Sequence, residues 1–94
     1  MYLDPIIDAV RQALPMGAQW PPDAEQLLRL YALLAVTKGR DTTLEDVHNA
    51  WSLWQGDRDP DHPALVPFDE LPAAVRAEDE PFRAAVRAAA PARL

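Results

Sequence analysis

The segment 62–72, HPALVPFDELP, constrains the fold of this chain more than any other stretch. Pro63, Pro67 and Pro72 fix their own φ angles and push the preceding residues towards extended conformations. The segment is therefore built neither as a regular helix nor as a strand, and its stiffness lowers the entropy lost on ordering. We expect it to lie as an extended strap across helices, anchored by its apolar side chains, which are Leu65, Val66, Phe68 and Leu71.

Apolar residues at helical spacing predict two N-terminal helices within residues 1–40. Asp4 has the position of an N-cap for the first helix, and Asp23 for the second, with a capping-box partner three residues on. Residues 27–36 are apolar on nearly all sides, which is typical of a helix buried on nearly all sides. We expect this second helix at the centre of the domain or, alternatively, in the seam of a homodimer.

A third helix is predicted after Thr42 or Thr43, either of which has the position of an N-cap, and Gly56 is expected to end it. Its apolar stripe recurs at helical spacing and consists of Leu44, Val47, Trp51 and Trp54. Trp51 and Trp54 have two readings, since such a stripe is usually core but can also stack on a planar ligand.

Beyond the strap, residues 73–78 and the stretch after Pro81 are predicted to be helical, and period-two alternation is absent from the sequence. The prediction is an all-α fold with a single domain over residues 1–94. It is a small bundle of four to five short helices with the proline-rich strap, 62–72, packed on the third helix.

Charge and composition exclude several functional classes. The 94 residues include 15 acidic and 9 basic ones, a net charge of −6, which disfavours general nucleic-acid binding and docking on an anionic membrane. The longest apolar run is far shorter than the ~20 residues that cross a bilayer. The N-terminus has acids where a signal peptide has basic residues, so a cytoplasmic location is expected.

Metal and cofactor sites are not expected. The chain has no cysteine, which excludes zinc–thiolate sites and thiolate catalysis. Asp57, Asp59 and Asp61 have the 1-3-5 spacing of a calcium loop, but Phe68 occupies the position that requires a bidentate glutamate. These three carboxylates are interpreted as a solvated acidic turn.

Two motifs carry a family resemblance. Residues 47–51 read VHNAW, and the strap's LVPFDELP is followed by RAED at 76–79. Over residues 44–80 this pattern resembles the RyR domain, the small repeat of ryanodine receptors and of many bacterial and phage proteins. The resemblance implies that residues 43–90 are RyR-like, with the strap lying across the helices. It also implies a role in binding a nucleotide-derived signal in bacterial or phage defence.

The candidate ligand contacts come from the third helix and the strap. Histidine titrates near neutrality and suits a ligand contact, although His48 can equally be a structural group bonded to strap carbonyls. The resemblance and the tryptophan stripe together point to His48, Trp51, Trp54, His62, Phe68 and Glu70.

Enzymatic function is not expected, because the chain has one serine, no glycine-rich phosphate loop and no HExxH motif. The prediction is a small non-enzymatic ligand-binding module that senses or sequesters a nucleotide-type ligand. The alternative is a protein–protein interaction adaptor. It would use the apolar second helix or the acidic segment 57–80, which carries eight acidic and two arginine side chains, a net charge of −6.

Overall fold

The computed structural model describes residues 1–92 and confirms the all-α prediction, since no strand occurs within that range. Its α-helices are α1 (Asp4–Gln12), α2 (Glu25–Thr37), α3 (Leu44–Arg58), α4 (Ala73–Ala77) and α5 (Glu80–Ala89). Short 3-10 turns occupy Gly39–Asp41 and Phe68–Glu70.

Helix α2 lies at the centre and packs against α1, α3 and α5. Its inner face is fully enclosed, with Leu27 and Tyr31 each only 1% exposed. The central position predicted for this helix is therefore confirmed. One edge stays uncovered, because the side chain of Leu33 is 51% exposed.

Helix α3 begins with a reciprocal capping box. The Thr43 N–H donates to Asp46 Oδ2 at 2.9 Å, and the Asp46 N–H donates to Thr43 Oγ1 at 3.1 Å. These two bonds satisfy backbone donors that have no partner inside the helix. The predicted start of the third helix is confirmed, with Thr43 as the cap.

The caps predicted for α1 and α2 are wrong. Asp4 is the first residue of α1, and its carboxylate accepts from the Met1 amine at 2.9 Å instead of capping the helix. Asp23 lies in the left-handed region, with φ of 57°, and α2 begins only at Glu25 without a side-chain cap.

The predicted end of the third helix is also wrong, because Gly56 lies inside α3, which continues to Arg58. The Arg58 guanidinium lies over the Trp54 ring, 4.4 Å from its centroid. This cation–π contact and the packing of the last turn offset the roughly 1 kcal/mol that glycine costs inside a helix.

The strap, residues 62–72, packs on α3 as predicted. The His48 Nε2–H donates to the Val66 carbonyl oxygen at 2.7 Å, which joins the middle of the strap to the middle of the helix. Leu71 is buried, with 6% of its side chain exposed, and Phe68 is half-buried. The strap therefore forms one wall of the domain.

Candidate functional site

A cavity of about 230 Å³ lies where the strap meets the helices. Helices α2, α3, α4 and α5 and the strap all contribute to its wall. The lining consists of aromatic, imidazole, carboxylate and small apolar side chains, namely Pro21, Leu27, Tyr31, His48, Trp51, His62, Ala64, Leu71, Val75, Glu78, Asp79 and Phe82.

One side of the cavity is formed by an aromatic group on α2 and α5. The ring centroids of Tyr31 and Phe82 lie 6.2 Å apart, and Trp20 packs against both at 5.9 and 5.3 Å. Trp20 is held in place because its Nε1–H donates to the Arg11 carbonyl oxygen at 3.0 Å. This side of the cavity is therefore fixed by packing within the core.

The opposite side is formed by three rings from α3 and the strap. His48 stacks on Trp51 with 5.8 Å between ring centroids, and His62 meets Trp51 edge-on at 5.2 Å. His48 and Trp51 lie three positions apart on α3, so both side chains point to the same face of the helix. The strap then brings His62 to the open side of Trp51.

Each imidazole has one nitrogen bonded to the strap backbone. His48 uses Nε2–H as a donor to Val66, whereas His62 Nδ1 accepts from the Ala64 N–H at 3.1 Å. His62 therefore carries no proton on Nδ1 in this arrangement. Within residues 1–92 the second ring nitrogen of each histidine, Nδ1 of His48 and Nε2 of His62, has no hydrogen-bond partner.

Two polar groups at the floor of the cavity lack protein partners. The Tyr31 hydroxyl makes no hydrogen bond to any part of the chain that the structure describes, although its oxygen is not fully enclosed. The Asp79 carboxylate likewise has no hydrogen bond or ion pair among those residues. Both groups lie at the cavity, where a ligand or ordered water can bond to them.

Burial and local charge shift the acidity of both groups. Burial raises the pKa of Asp79 to about 6; the charge of His48 acts in the opposite direction, and that of Glu78 adds to the rise. Burial also raises the pKa of the Tyr31 phenol, with the Asp79 charge as a second cause. The phenol and the carboxylate are thus close enough to interact electrostatically.

The raised pKa of Asp79 predicts a pH-dependent effect of Asp79→Asn on stability. The ordinary pKa is 3.8 and the folded value is about 6, so the ionised carboxylate destabilises the folded state above pH 6. We expect Asp79→Asn to raise the free energy of unfolding by about 1 kcal/mol at pH 7.5, allowing for solvent screening. The gain falls through the window between the two pKa values and is lost near pH 4.

Urea unfolding at pH 7.5 and at pH 4 measures this difference. Asp61→Asn is the matched control, since it removes one charge from an exposed turn outside the cavity. A gain of equal size at both pH values contradicts the role assigned to the Asp79 carboxylate, which is faced by His48, Glu78 and the Tyr31 phenol.

The structure brings three of the six predicted contacts together: His48, Trp51 and His62 all line the cavity. Phe68 lies behind them, with its ring 6.2 Å from that of His48. Trp54 is buried at the far end of α3, on a separate groove, and Glu70 is exposed on the strap. The last two are thus not part of the cavity.

Among the cavity residues that the sequence did not predict as contacts are Tyr31, Asp79 and Phe82. In the sequence, Tyr31 counts as one more apolar residue of the run 27–36. Its hydroxyl was the available signal, because a buried tyrosine usually needs a hydrogen-bond partner. Asp79 and Phe82 come from the junction of α4 and α5, and their spacing in the sequence gives no sign that they approach α2 and α3.

The described residues contain neither a metal-binding group of side chains nor a membrane-spanning helix. No group of three or more histidine or acidic side chains is placed to hold a metal ion within residues 1–92. In the same range, no helix has both the length and the apolar character needed to cross a membrane.

Fold and cavity together define a small all-α domain with an aromatic-lined cavity that opens to solvent. The sequence matches a family described as "Domain of unknown function (DUF7701)" over residues 1–91, and the chain belongs to this family. No curated protein and no solved structure shows a significant match to the chain.

This family membership overturns the resemblance to the RyR domain. The match begins at residue 1 and includes α1 and α2, whereas the resemblance rested on residues 44–80 alone. A histidine–tryptophan helix followed by a proline-rich strap is also what packing requires here: His48 bonds to the strap, and Trp51 packs against His62. The motif is therefore explained by local structure, without kinship to ryanodine receptors.

Proposed function

We propose that this protein is a non-enzymatic binding module that holds a small ring-containing molecule in the cavity between α2, α3, the strap and α5. The observation that supports the proposal most directly is that the rings of Tyr31, Trp51 and Phe82 line one cavity together with the Asp79 carboxylate. Binding sites are typically apolar and aromatic with a few convergent polar groups, which is the composition of this lining. Such a module senses or sequesters its ligand, and the cytoplasmic location expected from the sequence belongs to the same proposal.

The size of the cavity limits the ligand. Its volume of about 230 Å³ is below the roughly 300–1,000 Å³ of sites for drug-sized molecules. An apolar cavity of about 150 Å³ is large enough for benzene. The cavity therefore suits one ring with a short substituent. A nucleotide-derived ligand fits only through its base, since no lysine or arginine lines the cavity to bind phosphate.

The three tryptophans provide a direct test by NMR. Trp51 lines the cavity, Trp20 is bonded to Arg11, and Trp54 lies on the separate groove. We expect members of a panel of single-ring compounds to shift the Trp51 indole N–H signal in a saturable titration while leaving that of Trp54 unchanged.

A cavity-filling variant makes the test specific. Ala64 lines the cavity, so Ala64→Met is expected to occupy the space and abolish the Trp51 shift. Ala74→Met is the matched control, because Ala74 is exposed on α4 and lies outside the lining. A panel that leaves the Trp51 signal unmoved, or shifts that persist in Ala64→Met, contradicts the proposed function.

A second candidate function, a protein–protein adaptor, is favoured by an exposed apolar strip on α2 and α3. Leu33 and Leu53 are 51% and 69% exposed, and Leu53 lies on an open groove beside Leu30. Asp23 and Asp57 stand at the rim of this groove. The occupant that fits is an amphipathic partner helix with apolar anchors and basic flanking residues.

Peptide retention and sedimentation of the chain alone test this candidate. Retention of a basic amphipathic helical peptide by the protein is expected to weaken in Leu53→Asp and with rising salt, but to be unaffected by Ala64→Met. Binding that ignores both changes contradicts the adaptor. Concentration-dependent dimers of the chain alone, lost in Leu53→Asp, would instead assign the strip to the homodimer considered from the sequence.

A further inference from the structure

The cavity has a chemical character that narrows the class of ligand, an inference that rests on the proposed function. We propose that the ligand is a small organic cation, a protonated amine on a single ring, held between the side chains of Trp51 and Phe82 with its charge against the Asp79 carboxylate.

The first step concerns charge. Asp79 lies half-buried at the cavity, and its carboxylate has no ion pair or hydrogen bond with any residue that the structure describes. The neighbouring cations bond elsewhere: Arg76 donates to the Asp69 carbonyl oxygen, and Arg83 pairs with Glu80. Burial raises the pKa of Asp79, and the charge of His48 opposes this rise without forming an ion pair with it, so a cationic ligand adds a direct partner for this partly desolvated carboxylate.

The second step concerns the rings. The faces of tryptophan, tyrosine and phenylalanine attract cations, most strongly where water is displaced. Trp51 stands on one side of the cavity, and Tyr31 and Phe82 stand on the other. A cation lying between them contacts aromatic side chains from α2, α3 and α5 while its charge reaches Asp79.

The third step concerns hydrogen bonds. Two further groups beside Asp79 can accept a hydrogen bond: the oxygen of Tyr31 and the Nδ1 atom of His48, which lacks a partner within residues 1–92. His62 faces them from the strap. An ammonium group carries up to three N–H donors, which matches a site richer in acceptors than in donors. A carboxylate or phosphate ligand would instead be repelled by the negative charges of Asp79 and Glu78.

The experiment compares benzylamine with benzyl alcohol, which have the same ring and the same number of non-hydrogen atoms but differ in charge. Titration followed at the Trp51 indole N–H is expected to give at least roughly tenfold tighter binding for benzylamine, the size expected for a hydrogen bond between charged groups. Asp79→Asn is expected to remove that advantage and leave benzyl alcohol unaffected. Asp61→Asn, the exposed control, is expected to change neither.

The outcomes separate the two proposals. If benzyl alcohol binds the unchanged chain as tightly as benzylamine or more tightly, the proposal of a cationic ligand is wrong. The cavity then still stands as a ligand site. If benzylamine still binds tightly to the Asp79→Asn variant, the proposal that the Asp79 carboxylate binds the ligand's charge is also wrong. If neither compound nor any member of the ring panel moves the Trp51 signal, the proposed function falls and the inference falls with it.

Discussion

Leu71→Ala is expected to lower the free energy of unfolding by about 2–5 kcal/mol, the usual range for truncating a buried leucine. Leu71 is the strap's most buried side chain, with 6% exposed, and it also lines the cavity. The substitution removes apolar contacts and enlarges an existing space that the surrounding rings cannot easily fill. Urea unfolding followed by far-UV circular dichroism measures the change.

Leu53→Ala is the matched control for this substitution. Leu53 is 69% exposed on α3, so the same atoms are removed without opening a cavity, and we expect a change within about 0.5 kcal/mol. Equal losses for the two variants, or wild-type stability of Leu71→Ala, would show that the strap contributes little to the fold.

The extended conformation of the strap was predictable because the residues of the segment itself determine it. Pro63, Pro67 and Pro72 restrict the backbone whatever surrounds it, and a restricted apolar segment has to cover a helical surface. The structure agrees, with the strap lying on α3 and its leucine end enclosed. The face of α3 that the strap covers could not be predicted locally, because it depends on contacts between residues distant in sequence, among them the hydrogen bond from His48 to Val66.

Helix starts show the same division between local and distant causes. The Thr43–Asp46 capping box is closed by two hydrogen bonds within four residues, so sequence spacing suffices to find it. Asp4 fails as a cap because the Met1 amine competes for its carboxylate. Asp23 fails because its backbone turns left-handed, so α2 starts two residues later.

The cavity was half predictable. His48 and Trp51 share a helix face by spacing, and the strap brings His62 to them, so these three follow from one helix and one connector. Tyr31 and Asp79 meet there only because α2 and the α4–α5 junction converge through tertiary packing. The unpartnered groups that give the cavity its chemical character are therefore those that no short motif reveals.

His48→Ala is expected to lower the free energy of unfolding by about 2–4 kcal/mol, from a lost hydrogen bond and a new void. The ring is 3% exposed, stacks on Trp51 and donates to the Val66 carbonyl oxygen at 2.7 Å. Removing it leaves that carbonyl without its donor and frees the middle of the strap from α3.

Asn49→Ala, one residue along and exposed, is the control and is expected to be nearly neutral. Detachment of the strap should also move the Trp51 indole signal, because His62 leaves with it, while the Trp20 signal stays in place. A loss of stability without a change at Trp51 would mean that His48 acts only as a core side chain. The same variant is expected to abolish ligand shifts at Trp51, because the hydrogen bond from His48 to Val66 holds the middle of the strap on α3. The stability of this wall and the binding capacity of the cavity then both depend on the His48 imidazole.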